Sequence, residues 1–149
     1  MLTKKGKYGL KAMVHLAQYP PGQPTPVLDI ASTERIPKKF LDAILCELRN
    51  GGFVNSKMGK GGGYTLARAA ESISVGDIVR AIDGPLAPIP CASKTRYQRC
   101  DDCPDEKACA VRLVMIEAQR ALSNVLDKCS LADMRRMAEE GLSLMLHEA

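Results

Sequence analysis

The chain has 149 residues, enough for one domain with its own core, and 46% hydrophobic residues of which few are aromatic (4% of the chain). A core of Leu, Ile, Val, Met and Ala suits a mainly helical protein and argues against an aromatic-rich sandwich. The net charge of +4 is unevenly placed: residues 1–80 hold 12 Lys/Arg against 6 Asp/Glu, and residues 81–149 hold 9 against 11, so a polyanion would find its basic surface in the front half.

Thr3 can cap a first helix running to about Tyr19, with Leu10, Met13, Val14 and Ala17 on one face, and Pro20-Pro21-Gly22 stops it. Thr25 and Pro26 read as cap and first turn of a short second helix through Val27, Leu28, Ile30 and Ala31. Pro37 opens a third helix whose apolar stripe is Leu41, Ile44, Leu45 and Leu48, and Gly51-Gly52 ends it. The period then changes. Phe53–Lys57 reads as a strand, Met58–Gly63 as a glycine-rich turn and Tyr64–Ala67 as the returning strand. Ser74 and Asp77 make a capping-box-like start for a helix carrying Val75, Ile78, Val79 and Ile82, closed by Gly84-Pro85. Residues 84–104 hold four prolines and little periodicity and read as a loop; a loop of this length is uncommon unless it has a task. Val111, Val114, Met115, Ala118, Leu122 and Val125 mark a long amphipathic helix. Ser130 and Asp133 cap a last one bearing Leu131, Met134, Ala138, Leu142 and Met145.

Three helices followed by a β-hairpin make a winged helix-turn-helix. The expected fold is therefore mainly α with a small hairpin: a DNA-binding domain over residues 1–83, a cysteine-bearing loop over 84–104, and dimerisation and C-terminal helices over 105–149. In such a fold the second helix of the pair enters the major groove by its N-terminal end. That end presents Lys38, Lys39, Phe40 and Asp42, which suit phosphate or guanine, a thymine methyl and a cytosine amine respectively. Lys4, Lys5, Lys7 and Lys11 cluster on the first helix and suit backbone phosphates; Lys4, Lys7 and the neighbouring Tyr8 are the contact candidates there. Lys57, Met58, Lys60 and Gly61 in the hairpin turn are candidates for a wing that approaches DNA closely. The turn is not a nucleotide-binding loop, because Gly61 follows Lys60 and the flanking elements are strands.

No run reaches the roughly 18 apolar residues that span a bilayer, and the basic start has no apolar h-region behind it. A cytoplasmic protein without a membrane partner is expected, where six cysteines point to metal or redox chemistry before structural disulfides. Cys91, Cys100, Cys103 and Cys109 are spaced Cys-x8-Cys-x2-Cys-x5-Cys. Four soft thiolates satisfy zinc or an iron-sulfur cluster, and Lys94, Arg96, Arg99 and Lys107 nearby are expected to favour thiolate over thiol. Cys46 and Cys129 stand alone on helices and read as small hydrophobes; His15 and His147 read as structural or exposed. No Ser-His-Asp, paired-carboxylate or nucleotide-binding constellation occurs, so an enzyme is not expected.

Several stretches together resemble the Rrf family of bacterial regulators, the IscR, NsrR and CymR group. They are Lys5-Gly6-Lys7-Tyr8-Gly9-Leu10, Ile36-Pro37-Lys38-Lys39-Phe40-Leu41, Leu48-Arg49-Asn50-Gly51-Gly52-Phe53-Val54, Gly61-Gly62-Gly63-Tyr64 and Ile73-Ser74-Val75-Gly76-Asp77-Ile78. The resemblance covers about residues 1–130. It implies a homodimer joined largely by the long helix, with the third helix in the major groove of a roughly palindromic duplex. It also implies a 2Fe-2S or 4Fe-4S cluster at three loop cysteines in some members. By position Cys91, Cys103 and Cys109 match those three, and Cys100 is extra. The histidine and acidic ligands used by other branches fall at Arg112 and Tyr8, which leaves Cys100 as the replacement, and the basic wing residue of several members is Met58 here. The leading expectation is a transcription factor whose operator affinity follows an iron-sulfur cluster or redox state at the loop. Its rivals are the same regulator with zinc or a thiol-disulfide switch, and an iron-sulfur carrier or metal-stapled module that binds no DNA.

Overall fold

The computed structural model describes residues 2–141. Six helices and one two-stranded sheet follow in the order α1 (Lys4–Ala17), α2 (Val27–Glu34), α3 (Lys38–Asn50), β1 (Val54–Lys57), β2 (Gly63–Leu66), α4 (Val75–Asp83), α5 (Ala110–Lys128) and α6 (Leu131–Glu140). Thr3 caps α1, its hydroxyl accepting from the Gly6 N–H at 3.1 Å. The strands are antiparallel, with Val54 opposite Leu66 and Lys57 opposite Gly63. The expected fold class therefore holds, with strand limits moved by one residue and α1 ending two residues early.

The main core lies beneath the helix-turn-helix, and a smaller cluster of Val75, Val79, Leu86 and Cys129, with Leu126 and Met134 packed against it, lies between α4, α5 and α6. Met13, Ile30, Leu41, Ile44, Leu45, Leu48, Ile73 and Ile78 are all fully buried, joined by Leu131 from α6. The last helix thus lends its first residue to the core of the helix-turn-helix. Its start is the best-capped in the chain: Ser130 and Asp133 exchange side-chain and backbone bonds at 3.0 and 2.9 Å. At α4 half of the box forms, Ser74 Oγ accepting from Asp77 N–H at 3.0 Å, while Asp77 itself faces Arg80. Leu142, Met145 and His147 lie outside the described residues.

Thr25 departs from expectation. It does not cap α2; Pro26 holds the cap position without a side-chain bond. The Thr25 N–H and C=O instead bridge the backbone of Tyr64, both at 2.9 Å. That bridge holds Thr25 extended and lays it beside β2, so the helix starts after it. In the long loop, Pro90–Ala92 forms a 3-10 turn with Cys91 and Ala92 buried, and irregular backbone continues to Cys109.

The C-terminal end of α5 is bonded to α4. The Val75 N–H donates to the Cys129 carbonyl at 2.9 Å and the Leu131 N–H to the Ile73 carbonyl at 2.8 Å. Alongside, the Arg80 guanidinium grips Asp127 with two bonds of 2.7 and 2.8 Å. Asp127 raises the Arg80 pKa further above its already high value, through that hydrogen bond first. The approach needs Gly76, where a Cβ would overlap Asp127 Oδ1. Gly76→Ala is expected to cost about 1–3 kcal/mol of stability in urea unfolding, and less in an Asp127→Ala background. Equal losses in both backgrounds would show that the glycine serves no close approach.

Candidate nucleic-acid interface and cysteine cavity

Burial of Leu41, Ile44, Leu45 and Leu48 turns the opposite face of α3 outward. Lys38, Lys39, Phe40, Asp42 and Ala43 are all exposed there, Phe40 at 61%. Asp42 is not free: Lys38 Nζ holds it at 2.8 Å. Both partners are about half exposed, so the pair contributes less than about 1 kcal/mol and opens cheaply for another ligand. Lys39 makes no ion pair among the described residues. The same face continues to Arg49, seven positions beyond Asp42, whose guanidinium reaches Ser56 Oγ on β1 at 3.4 Å. Sequence reasoning passed over Arg49, although its helical spacing from Asp42 is readable.

On α1 the four lysines divide. Lys4 and Lys7 are exposed, Lys4 standing 5.7 Å over the half-buried Tyr8 ring. Lys5 is paired with Glu47 and Lys11 donates to the Glu34 carbonyl. These two lysines are engaged within the fold, by acceptors from α3 and the end of α2, while Lys4 and Lys7 make no ion pair among the described residues. In the wing, Lys57, Met58, Lys60 and Gly61 are exposed, Met58 at 88%. Gly59 and Gly61 take φ of 86° and 74°, the left-handed turn geometry that favours glycine.

Cys91, Cys100, Cys103 and Cys109 line one cavity of about 570 Å³, with Ile89, Pro104, Ala108 and Val111 as apolar wall. Cys91 comes from the 3-10 turn and is 5% exposed; Cys109 caps α5, its Sγ accepting from the Arg112 N–H at 3.5 Å. Within the cavity the sulfurs in contact are those of Cys91 and Cys100, at 3.7 Å. As placed, no three His, Cys, Asp or Glu side chains among the described residues form a metal-holding group.

The expected cationic surround is absent from the lining, which holds Asp102, Asp105, Glu106 and one cation, Arg112. For Cys100 the effect is the reverse of the expectation: the Cys91 sulfur beside it, with some desolvation, holds its thiol up. Arg112 has a structural task. Its Nε donates to the Cys91 carbonyl at 3.0 Å, Nη1 to the Glu106 carbonyl at 3.5 Å, and the guanidinium lies 5.9 Å from the Tyr97 ring. Tyr97 in turn donates to Glu106. Arg112 thus ties both limbs of the loop to the first turn of α5.

The remaining candidates behave as structure. Cys129 is buried, and burial pushes its thiol up; Cys46 is half-buried beside Arg49. His15 is buried, its Nδ1 3.0 Å from Glu34 Oε1. Helix α5 leaves a long apolar stretch uncovered: Gln119 is its sole buried residue, while Val111, Leu113, Val114 and Val125 are 49–62% exposed. No helix among the described residues is long and apolar enough to cross a membrane.

A helix-turn-helix with a glycine-tipped wing defines a winged-helix regulator. The model of the Rrf2 family, described as iron-dependent transcriptional regulators, matches residues 2–137, and the chain belongs to that family. It is 43% identical to an rrf2-like HTH-type transcriptional regulator of Rhodobacter capsulatus, over 90% of this chain and 91% of that one. It is 32% identical to the HTH-type transcriptional regulator CymR of Bacillus subtilis, over 89% and 88%. Among solved structures, B. subtilis CymR, described as its global cysteine regulator, superposes with a TM-score of 0.74 at 32% identity, covering 91% of this chain and 96% of that one. T. potens IscR matches with a TM-score of 0.74 at 30% identity, over 96% and 91%. These relatives are transcriptional regulators, not enzymes, and the carrier or stapled-module alternative is set aside.

Proposed function

We propose that this Rrf2-family regulator binds a roughly palindromic double-stranded operator as a homodimer, and that an iron-sulfur cluster or the redox state of the cysteine loop sets its affinity. The observation that carries the DNA half is the outward face of α3, where Lys38, Lys39, Phe40 and Arg49 stand opposite a fully buried stripe. Lys39 and Arg49 suit phosphates, Phe40 a thymine methyl, and Lys57, Met58, Lys60 and Gly61 a wing contact; Lys4, Lys7 and Tyr8 suit flanking backbone. Residues 1–83 read, 84–104 carry the loop and 105–149 supply the dimerisation and C-terminal helices, with Leu131 lent to the reader core. Dimerisation is supported by α5, whose Val111, Val114, Ala118, Ala121 and Val125 recur at heptad spacing and include three strongly exposed valines. Burying each of those valines in a partner would contribute about 1.5–3 kcal/mol.

The cluster half rests on four soft sulfur donors lining one partly apolar cavity in a family described as iron-dependent. The residues fit in kind and share one cavity, and Cys91, Cys100, Cys103 and Cys109 would hold the group once the loop draws them together from their present placement. Its chemistry, when bound, would make the loop's cross-linking depend on iron supply and oxidation; zinc is the lesser candidate for the same thiols. The chain's own residues carry the connection to DNA. Arg112 fastens the loop to α5, Asp127 and Arg80 fasten α5 to α4, and α4 packs on α1 and α3. In the dimer the two α3 helices must meet half-sites about 34 Å apart, so a small change at the loop end of α5 alters that match.

Selection from randomised duplexes, followed by gel shift, is expected to yield a bound site for which Lys39→Ala weakens binding and lowers the salt slope by about one. Failure of cluster-loaded and cluster-free protein to bind any duplex overturns the DNA reading. Protein purified without oxygen should be brown, with visible absorption lost in Cys109→Ala; colourless protein with stoichiometric zinc overturns the cluster. Val114→Glu should shift the sedimenting species from dimer to monomer, and a wild type that sediments as a monomer at micromolar concentration removes α5 as the interface.

A further inference from the structure

Among the described residues the sulfurs of Cys91 and Cys100 are in contact within the cavity, and Cys100 is the cysteine that the family resemblance leaves over. Cys91 sits in the 3-10 turn, 5% exposed, its carbonyl held by Arg112. Cys100 is half-buried on irregular backbone and lies 3.7 Å from it, sulfur to sulfur. A disulfide needs about 2.05 Å, so the sulfurs must close by about 1.7 Å, which the irregular segment before Cys100 can supply.

We infer that Cys91 and Cys100 form a reversible disulfide in the cluster-free protein, with Cys100 the attacked outer sulfur and Cys91 the buried resolving one. The oxidant is a small-molecule disulfide of the glutathione type. Cys100 is the more accessible of the two; although its thiol is held up, the fraction that has lost its proton to solvent attacks one sulfur of the oxidant, forming a mixed disulfide and releasing one thiolate. The Cys91 thiolate then attacks Cys100 Sγ, forming the internal bond and releasing the second thiolate. Two electrons pass from the cysteine pair to the oxidant, and the two protons lost by the cysteines are balanced by the two thiols released. The inference deepens the redox reading of the loop. It adds that cluster and disulfide compete for the same two sulfurs, so oxidation of the empty loop locks it against loading.

The test uses full-length cluster-free protein incubated with oxidised glutathione, alkylated, digested with trypsin and mapped by mass spectrometry. Cys100 and Cys103 leave on one peptide, residues 100–107, because no Lys or Arg separates them. The wild type and Cys103→Ser are therefore run together. The expected result is residues 81–94, which hold Cys91, linked to residues 100–107 in both proteins. The link is absent in Cys100→Ser, and dithiothreitol restores two free thiols. In a second arm, oxidised protein is expected to take up no iron and sulfide until reduced. A link to Cys103 or Cys109, or Cys91 left free in the Cys103→Ser protein, overturns the pair. A pair that forms without any cluster ever loading leaves the pair standing and overturns the cluster reading instead.

Discussion

The joint between α4 and α5 is the constraint on which the rest of the molecule depends. Two backbone hydrogen bonds run between the segment before α4 and the α5–α6 junction, and the doubly bonded Arg80–Asp127 pair reinforces them. Backbone bonds tolerate little rotation, and a bidentate guanidinium–carboxylate pair adds a fixed plane. The joint therefore sets the direction in which α5, about 28 Å long, leaves the reading unit. Gly76 keeps the two helices close enough for the pair to form.

That joint also explains why α5 can remain so little buried within its own chain. A helix whose sole buried side chain is Gln119 has limited hydrophobic anchorage, supplied near its C-terminal end by Leu126 against Val75, Val79 and Leu86, and helices draw most of their stability from packing. Its C-terminal end is held by polar bonds to α4, by Leu126 and Cys129 packed with Val75, Val79 and Leu86, and by Leu131, which enters the main core directly after the junction. Its N-terminal end is held by Cys109 as cap and by Arg112 to the loop. The middle, with its valines, is left for a second copy in the proposed dimer.

Much of this was legible in the sequence because it is local. The stripe Leu41, Ile44, Leu45, Leu48 announces α3 by spacing alone, Ser130 with Asp133 announces the start of α6, and the change of period at Phe53 announces the hairpin. What was illegible depends on partners far away in the chain. Thr25 looks like a cap until the backbone of Tyr64 claims it. Lys5 and Lys11 look like phosphate ligands until Glu47 and the Glu34 carbonyl occupy them. Arg80 and Asp127 are 47 positions apart and carry no motif. Arg112 looked like a missing ligand, whereas its length lets it reach two carbonyls that an imidazole could not tie to α5 in the same way.

The cysteine loop then has a mechanical logic of its own. One sulfur, Cys91, is fixed: buried in a proline-started turn and held at its carbonyl from α5. Another, Cys109, belongs to α5 as its cap. Cys100 and Cys103 lie between them on irregular backbone with few bonds, the kind of segment that opens at low cost. A chemical event among these sulfurs therefore draws the loose stretch onto fixed points, without unfolding anything in the reader. Because one fixed point is the start of α5, and the far end of α5 is locked to α4, the pull is felt along a helix that cannot yield at its other end. In the proposed dimer such strain would be resolved at the exposed middle of α5 or at its pairing with a second copy, where a small displacement would change the distance between the two α3 helices.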